Sequence, residues 1–316
     1  MIFLGRRQRL ATAAGVRLAH RVALMLLLLG ASVTTHASDA VAAVSPRPLD
    51  VALEVVDGGW GGGTPSEIKP VLEAVIAAFP AAGTRADRPV EPLALRVRHR
   101  FGGPRIDYQR DRDGRTVIFL SARDDRWYQY VYQFAHEYCH LLSHFDRKRQ
   151  GDDIVRDHQW FEEAVCETAS LFAVRRLAAE GNSADASMVA RHIAPQLTQY
   201  AEQLIAQPHR QLESGIALKA WYAQHMETLR SQPYLREYNE LVALQLLPLF
   251  ETEPARWAAL AWLNPTELAP GLPFADYLDA WRIATPVFVQ PLVANIQTSF
   301  GLVPPLAPSS IASGGK

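Results

Sequence analysis

The chain has 316 residues and a formal net charge of −1, with 48% hydrophobic and 21% charged side chains. That length suits one large domain or two ordinary ones with a real core, and the composition excludes wholesale disorder. Two cysteines cannot build a disulfide scaffold or a four-thiolate zinc ribbon, and the near-neutral balance leaves no basic footprint for nucleic acid.

The charge is unevenly spread. Residues 1–37 hold Arg6, Arg7, Arg9, Arg17 and Arg21 and no acid. The arginines precede an apolar run, Val22–Leu29, ended by Gly30, and small residues at Thr35 and Ala37 suit cleavage before Ser38. A basic region, a short apolar core and a small-residue site predict a secretory signal peptide over 1–37. The apolar run is too short for a spanning helix, which takes roughly 20 residues. Its removal leaves 27 basic and 33 acidic side chains, a net charge of −6, and no transmembrane segment in the mature chain. The protein is therefore expected to be exported, periplasmic or secreted.

Residues 38–48, rich in Ala, Val, Ser and Pro, read as a flexible leader. Leu49–Val56 reads as a strand, followed by the glycine loop Asp57–Gly63. Thr64-Pro65-Ser66-Glu67 looks like a capping box with proline at the first helical position, opening a helix to about Phe79. Strands are predicted at Leu93–His99 and at Thr116–Ser121, the second after the polar turn Asp111–Arg115. From Trp127 the helical period takes over. Two helices, about 126–146 and 158–180, flank a charged connection, Asp146–Asp157. Residues 193–300 read as further amphipathic helices punctuated by proline, and the tail 301–316 reads as disordered. The fold class is α+β: a small mixed sheet, then a mainly α-helical region.

The first of the two helices carries His136-Glu137-Tyr138-Cys139-His140, an H-E-x-x-H pattern. Histidines at i and i+4 lie one turn apart on one face, so both imidazoles can share one zinc ion. The intervening glutamate then stands beside the metal as a base for water. At about 100° per residue, Val131, Phe134, Leu141, Leu142 and Phe145 fall opposite the histidines, which share their face with Gln129, Gln133 and His144. An ordinary amphipathic helix would show the same phase. The second helix is more telling. It is apolar on nearly every side, the mark of a buried helix, yet it holds Glu162, Glu163 and Glu167. A buried carboxylate costs several kcal/mol unless a cation or strong donors meet it. Glu163 and Glu167 share a face; Glu162 points about 100° away, an orientation compatible with solvent.

His136-Glu-x-x-His140 followed after 22 residues by Glu163-Ala-Val-Cys-Glu167 resembles the gluzincin branch of the zincin metallopeptidases. The resemblance covers roughly residues 115–180. It implies a zincin-like catalytic domain over 38–192, with 193–300 as a helical C-terminal region closing the cleft from below. It also implies zinc (Zn2+) bound by His136, His140 and Glu163, with Glu137 as general base and Glu167 orienting a ligand imidazole from behind. The strand Thr116–Ser121 would be the edge strand that pairs with an extended peptide or protein substrate. A tyrosine or histidine from a later helix would stabilise the oxyanion; Tyr222, His225, Tyr234, Tyr238 and Tyr277 all compete for that place. The Asn and Asp of the thermolysin-like motif are Glu162 and Glu167 here, and the exopeptidase motif of the aminopeptidases is absent.

His144 extends the histidine row by another turn, but two turns span about 12 Å, too far to share one ion with His136. It is read as a cleft residue, and His158 as a cap or surface residue. Cys139 and Cys166 lie one on each metal-bearing helix. In an oxidising compartment they could pair as a disulfide; otherwise they are two small buried apolar residues. The competing functional expectation is a catalytically silent zincin-like domain serving as an envelope binding or regulatory module.

Overall fold

β1 (Val51–Val55) leads through the glycine loop into α1 (Pro65–Ala78). The start of α1 follows its sequence signature: the Thr64 N–H donates to Glu67 Oε2 at 3.0 Å. Ile68, Val71, Leu72 and Val75 are its buried face, one stripe at helical spacing. In the loop, Trp60 is buried and donates from Nε1 to the Val56 carbonyl at 2.7 Å. Gly59 makes this possible. Its φ is +87°, and a Cβ there would lie 2.5 Å from His99 Nδ1.

The computed structural model describes residues 50–79, 93–150, 153–154, 156–264 and 271–302. The signal peptide predicted over 1–37, the leader 38–48 and the tail beyond Leu302 lie outside the described residues.

β2 (Leu93–His99) pairs in parallel with β1, and β4 (Thr116–Leu120) in parallel with β2. β3 (Arg105–Ile106) lies antiparallel on the other side of β4, so the order is β1-β2-β4-β3. The sheet is mixed, as the sequence predicts. β4 is an interior strand, however, and this corrects the expectation that Thr116–Ser121 forms the edge. The edge beyond it is β3, whose two residues are too few to carry an alternating pattern.

α2 (Trp127–Leu142) is joined to the sheet end by one side chain. Gln133 Oε1 accepts from the N–H groups of Ser121 and Ala122 at 2.9 and 3.1 Å. α2 is shorter than the predicted 126–146. His144 takes φ +55°, and the chain continues as a 3-10 turn, Phe145–Lys148. A two-residue hairpin, β5 (Arg149–Gln150) with β6 (Asp153–Ile154), then leads to α3 (Gln159–Gly181).

α3 is the axis of the molecule. It packs against α2, α4 (Met188–Ile205) and α6 (Arg236–Glu251), with α5 (Leu218–Ser231) before α6. Being covered on so many sides explains its nearly continuous apolar sequence. A further 3-10 segment (Pro254–Trp262), α7 (Phe274–Ala284) and α8 (Gln290–Ser299) complete the fold. Trp160, Phe161, Phe274 and Phe300 pack ring against ring at this end. Residue 192 lies within α4, and the described residues fall in one compact unit. Among the described residues no helix is long and apolar enough to cross a membrane.

Candidate metal centre

The polar face of α2 meets α3 rather than water. His136 and His140 stand with ring centroids 5.0 Å apart. Glu163 of α3 faces both: its Oε2 lies 3.2 Å from His136 Nε2 and 3.6 Å from His140 Nε2. All three groups offer a ligand atom within 4.8 Å of the others. A tetrahedral ion with bonds of about 2.0–2.1 Å has ligand atoms roughly 3.3–3.4 Å apart. The group could hold a metal ion.

Both imidazoles turn their Nδ1 atoms toward carboxylates behind them, which leaves Nε2 for a metal. His136 Nδ1 faces Glu167 Oε1 at 3.9 Å, and His140 Nδ1 donates to Glu162 Oε1 at 2.7 Å. The second contact corrects the outward orientation expected for Glu162, which has no exposed surface. Asn264, just beyond the Pro254–Trp262 segment, donates to Glu162 Oε2 at 2.9 Å, and the buried Lys148 ammonium pairs with the same oxygen. Burial would raise the Glu162 carboxyl. The Lys148 charge and the His140 N–H more than offset this and hold it at about 2. Its burial is fully compensated.

Glu167 is held from another direction. It accepts from the Tyr132 hydroxyl, and Arg210 Nη2 donates to that hydroxyl at 3.2 Å. Arg210 is itself fully buried and pairs with Glu240 of α6 at 2.8 Å.

The electrostatics follow from these contacts. Burial alone would lower the pKa of His136, but the Glu163 bond and the Glu167 charge raise it above the usual histidine range. His140 is raised further, against its burial, by Glu163 and Glu162. The two imidazoles hold Glu163 well below the usual carboxylate range despite its own burial. The two imidazoles therefore hold protons that a bound cation would displace, while Glu163 is already ionised.

Glu137 is 4% exposed. Burial pushes its pKa up, partly opposed by the two histidines and by the Ile106 N–H, which donates to the carboxylate. Edge strand β3 thus reaches the site through its backbone. A cavity of about 370 Å³ opens beside His136, Glu137 and Glu163. Of the aromatic and histidine candidates, only Tyr234 lines it. Tyr238 packs edge-on against Trp221 and His225 in a different depression, while Tyr222 and Tyr277 belong to the aromatic cluster. His158 bonds the Leu272 carbonyl at 2.6 Å, and His144 occupies the left-handed turn after α2.

Cys139 and Cys166 are buried free thiols. Burial and the hydrogen-bonded Cys139 thiol push Cys166 well above the usual thiol range, so the two sulfurs are neighbours between α2 and α3.

Sequence reasoning missed Lys148, Asn264, Tyr132 and Arg210. Lys148 sits in a charged run that reads as solvated, and the other three carry no local signal. Compared with known proteins, the chain matches no family model and no curated relative.

Proposed function

We propose that this chain is an exported zinc-dependent peptidase with a zincin-like catalytic fold of the gluzincin type. One observation carries the reading: two imidazole Nε2 atoms and Glu163 Oε2 converge at 3.2 and 3.6 Å, with each imidazole backed by a carboxylate. Two histidines and a glutamate are a zinc donor set of the catalytic kind, with a fourth position left for water or substrate. Zinc held by His136, His140 and Glu163 supplies a Lewis acid that polarises a carbonyl and lowers the pKa of water to about 7.

The chain's own groups perform the remaining work. Glu137 takes a proton from water and passes it to the leaving amine; its raised pKa suits both directions of transfer. Tyr234, whose hydroxyl is pushed above its usual pKa by partial burial, stays protonated and donates to the developing oxyanion. The open side of β3 offers backbone groups to an extended peptide. Export also puts the adjacent Cys139 and Cys166 thiols where they pair as a staple between the metal-bearing helices. Mass spectrometry of the exported protein without reductant should find no alkylatable thiol; two free thiols end the staple.

The deciding experiment measures zinc content and cleavage of a diverse peptide mixture, with and without chelator. Glu137→Gln should keep zinc and lose about a thousandfold in cleavage rate. Zinc retained with no cleavage by the unaltered protein identifies a silent binding module instead. Protein that takes up no zinc removes both zincin readings.

A further inference from the structure

The cavity beside the metal-binding group has a chemically distinct far wall. It is formed by the first turn of α6, where Arg236 and Asn239 stand three residues apart on one face. The residues lining the cavity include three glutamates, and Arg236 is the one arginine or lysine among them. Its side chain is 67% exposed, in a cleft that otherwise concentrates acids.

Arg236 is held, but by one corner only. Its Nε donates to Glu240 Oε1 at 2.6 Å, one turn further along α6. The same carboxylate also takes Arg210 at 2.8 Å and His209 at 2.5 Å. Glu240 therefore orients the guanidinium and divides its charge among three partners. The two Nη groups make no hydrogen bond among the described residues, and a guanidinium fixed in this way presents a fork that matches a carboxylate.

Asn239 supplies a second, independent signal. It is 3% exposed and lines the cavity, and its Nδ2 donates to the Pro233 carbonyl at 2.9 Å. Its Oδ1 has no hydrogen-bond partner among the described residues. A buried acceptor without a donor costs on the order of 1–3 kcal/mol, a cost that a ligand N–H would remove. A fork for a carboxylate and an acceptor for an N–H, side by side, match one amino-acid residue that carries a carboxylate beside its own amide.

Resting on the peptidase reading above, we propose that Arg236 and Asn239 form a carboxylate subsite that selects the substrate. The enzyme prefers peptides with a carboxylate close to the scissile bond, and that carboxylate is either a free C-terminus or an acidic side chain. Arg236 binds the carboxylate, and Asn239 accepts the N–H of the same residue.

The test uses binding, so it does not depend on turnover. The probes are N-acetyl-Ala-Ala against its amide, and N-acetyl-Ala-Asp-amide against N-acetyl-Ala-Asn-amide. Each is titrated into metal-free protein by NMR, so that no bound ion can hold the carboxylate. At least one acid should bind about tenfold more tightly than its neutral twin, and the pair that shows the difference identifies the source of the carboxylate. Arg236→Ala should erase the preference. Arg236→Lys, a point charge without the fork, should keep a reduced one. Equal binding of acid and neutral probes, no binding of either acid, or a preference that survives Arg236→Ala overturns the proposal. On zinc-loaded protein, the alanine variant should raise KM for the favoured peptide far more than it lowers kcat. Cleavage without carboxylate preference sinks the subsite alone. A carboxylate preference in binding without any cleavage sinks the peptidase reading alone.

Discussion

At the scale of single residues, the best-defended group in the molecule is Glu162. Its carboxylate is fully buried and meets three donors: His140 Nδ1 at 2.7 Å, Asn264 Nδ2 at 2.9 Å and the Lys148 ammonium. Each partner comes from a different segment, so the carboxylate ties α2, the turn after it and the segment following Trp262 to α3. Lys148→Met leaves a buried charge without its cation and should cost about 3–5 kcal/mol, read from denaturant unfolding of the metal-free protein. Adding Glu162→Gln removes the stranded charge, so the double variant should recover part of that loss. An unchanged unfolding midpoint for Lys148→Met would contradict the pairing. Glu162→Gln alone should weaken zinc binding about 10–100-fold in chelator competition, because His140 loses the group that orients its ring. The two histidines were legible in the sequence because i, i+4 spacing on one helix is a local property. Glu162 was not, because helix phase gives the direction of a side chain and says nothing of what lies there. Asn264 is 102 residues away in the chain.

At the scale of elements, the packing of the helices depends on how closely α3 can be approached. Its last residue, Gly181, meets α4 where a Cβ would lie 2.3 Å from the Ala190 carbonyl oxygen and 2.5 Å from Ala194 Cβ. Glycine in a helix costs about 1 kcal/mol relative to alanine, so on an exposed face Gly181→Ala would stabilise. Here the helices must separate first, and overpacking of that kind costs about 1–3 kcal/mol. Thermal unfolding should therefore show a lower Tm for Gly181→Ala; a higher one would mean that α3 and α4 have slack. Zinc affinity should barely change, since Gly181 lies at the opposite end of α3 from Glu163. The sheet shows the limit of element-level reading. β1, β2 and β4 have enough residues for a pattern, whereas β3 has two and is defined by its partner. The strand with the closest tie to Glu137 was therefore the one the sequence could not display.

At the scale of the whole molecule, the His136, His140 and Glu163 group makes stability depend on pH in a way that zinc should invert. His136 and His140 are raised above their ordinary value of 6.5. Their contribution is fully present below pH 6.5 and is lost as pH rises through the raised values. Glu162 and Glu163 are lowered from 4.5, so they stabilise above that value and lose the contribution as pH falls. The metal-free protein should be most stable between these limits and should weaken on the alkaline side. Zinc requires neutral imidazoles, so its binding releases the protons that His136 and His140 hold. Its affinity then rises with pH over the range in which the metal-free protein loses stability. The Tm increase on adding zinc should be larger at pH 8 than at pH 6, and calorimetry in buffers of different ionisation enthalpy should detect the released protons. A Tm increase independent of pH, with no proton release, would mean that the ion binds somewhere other than between α2 and α3.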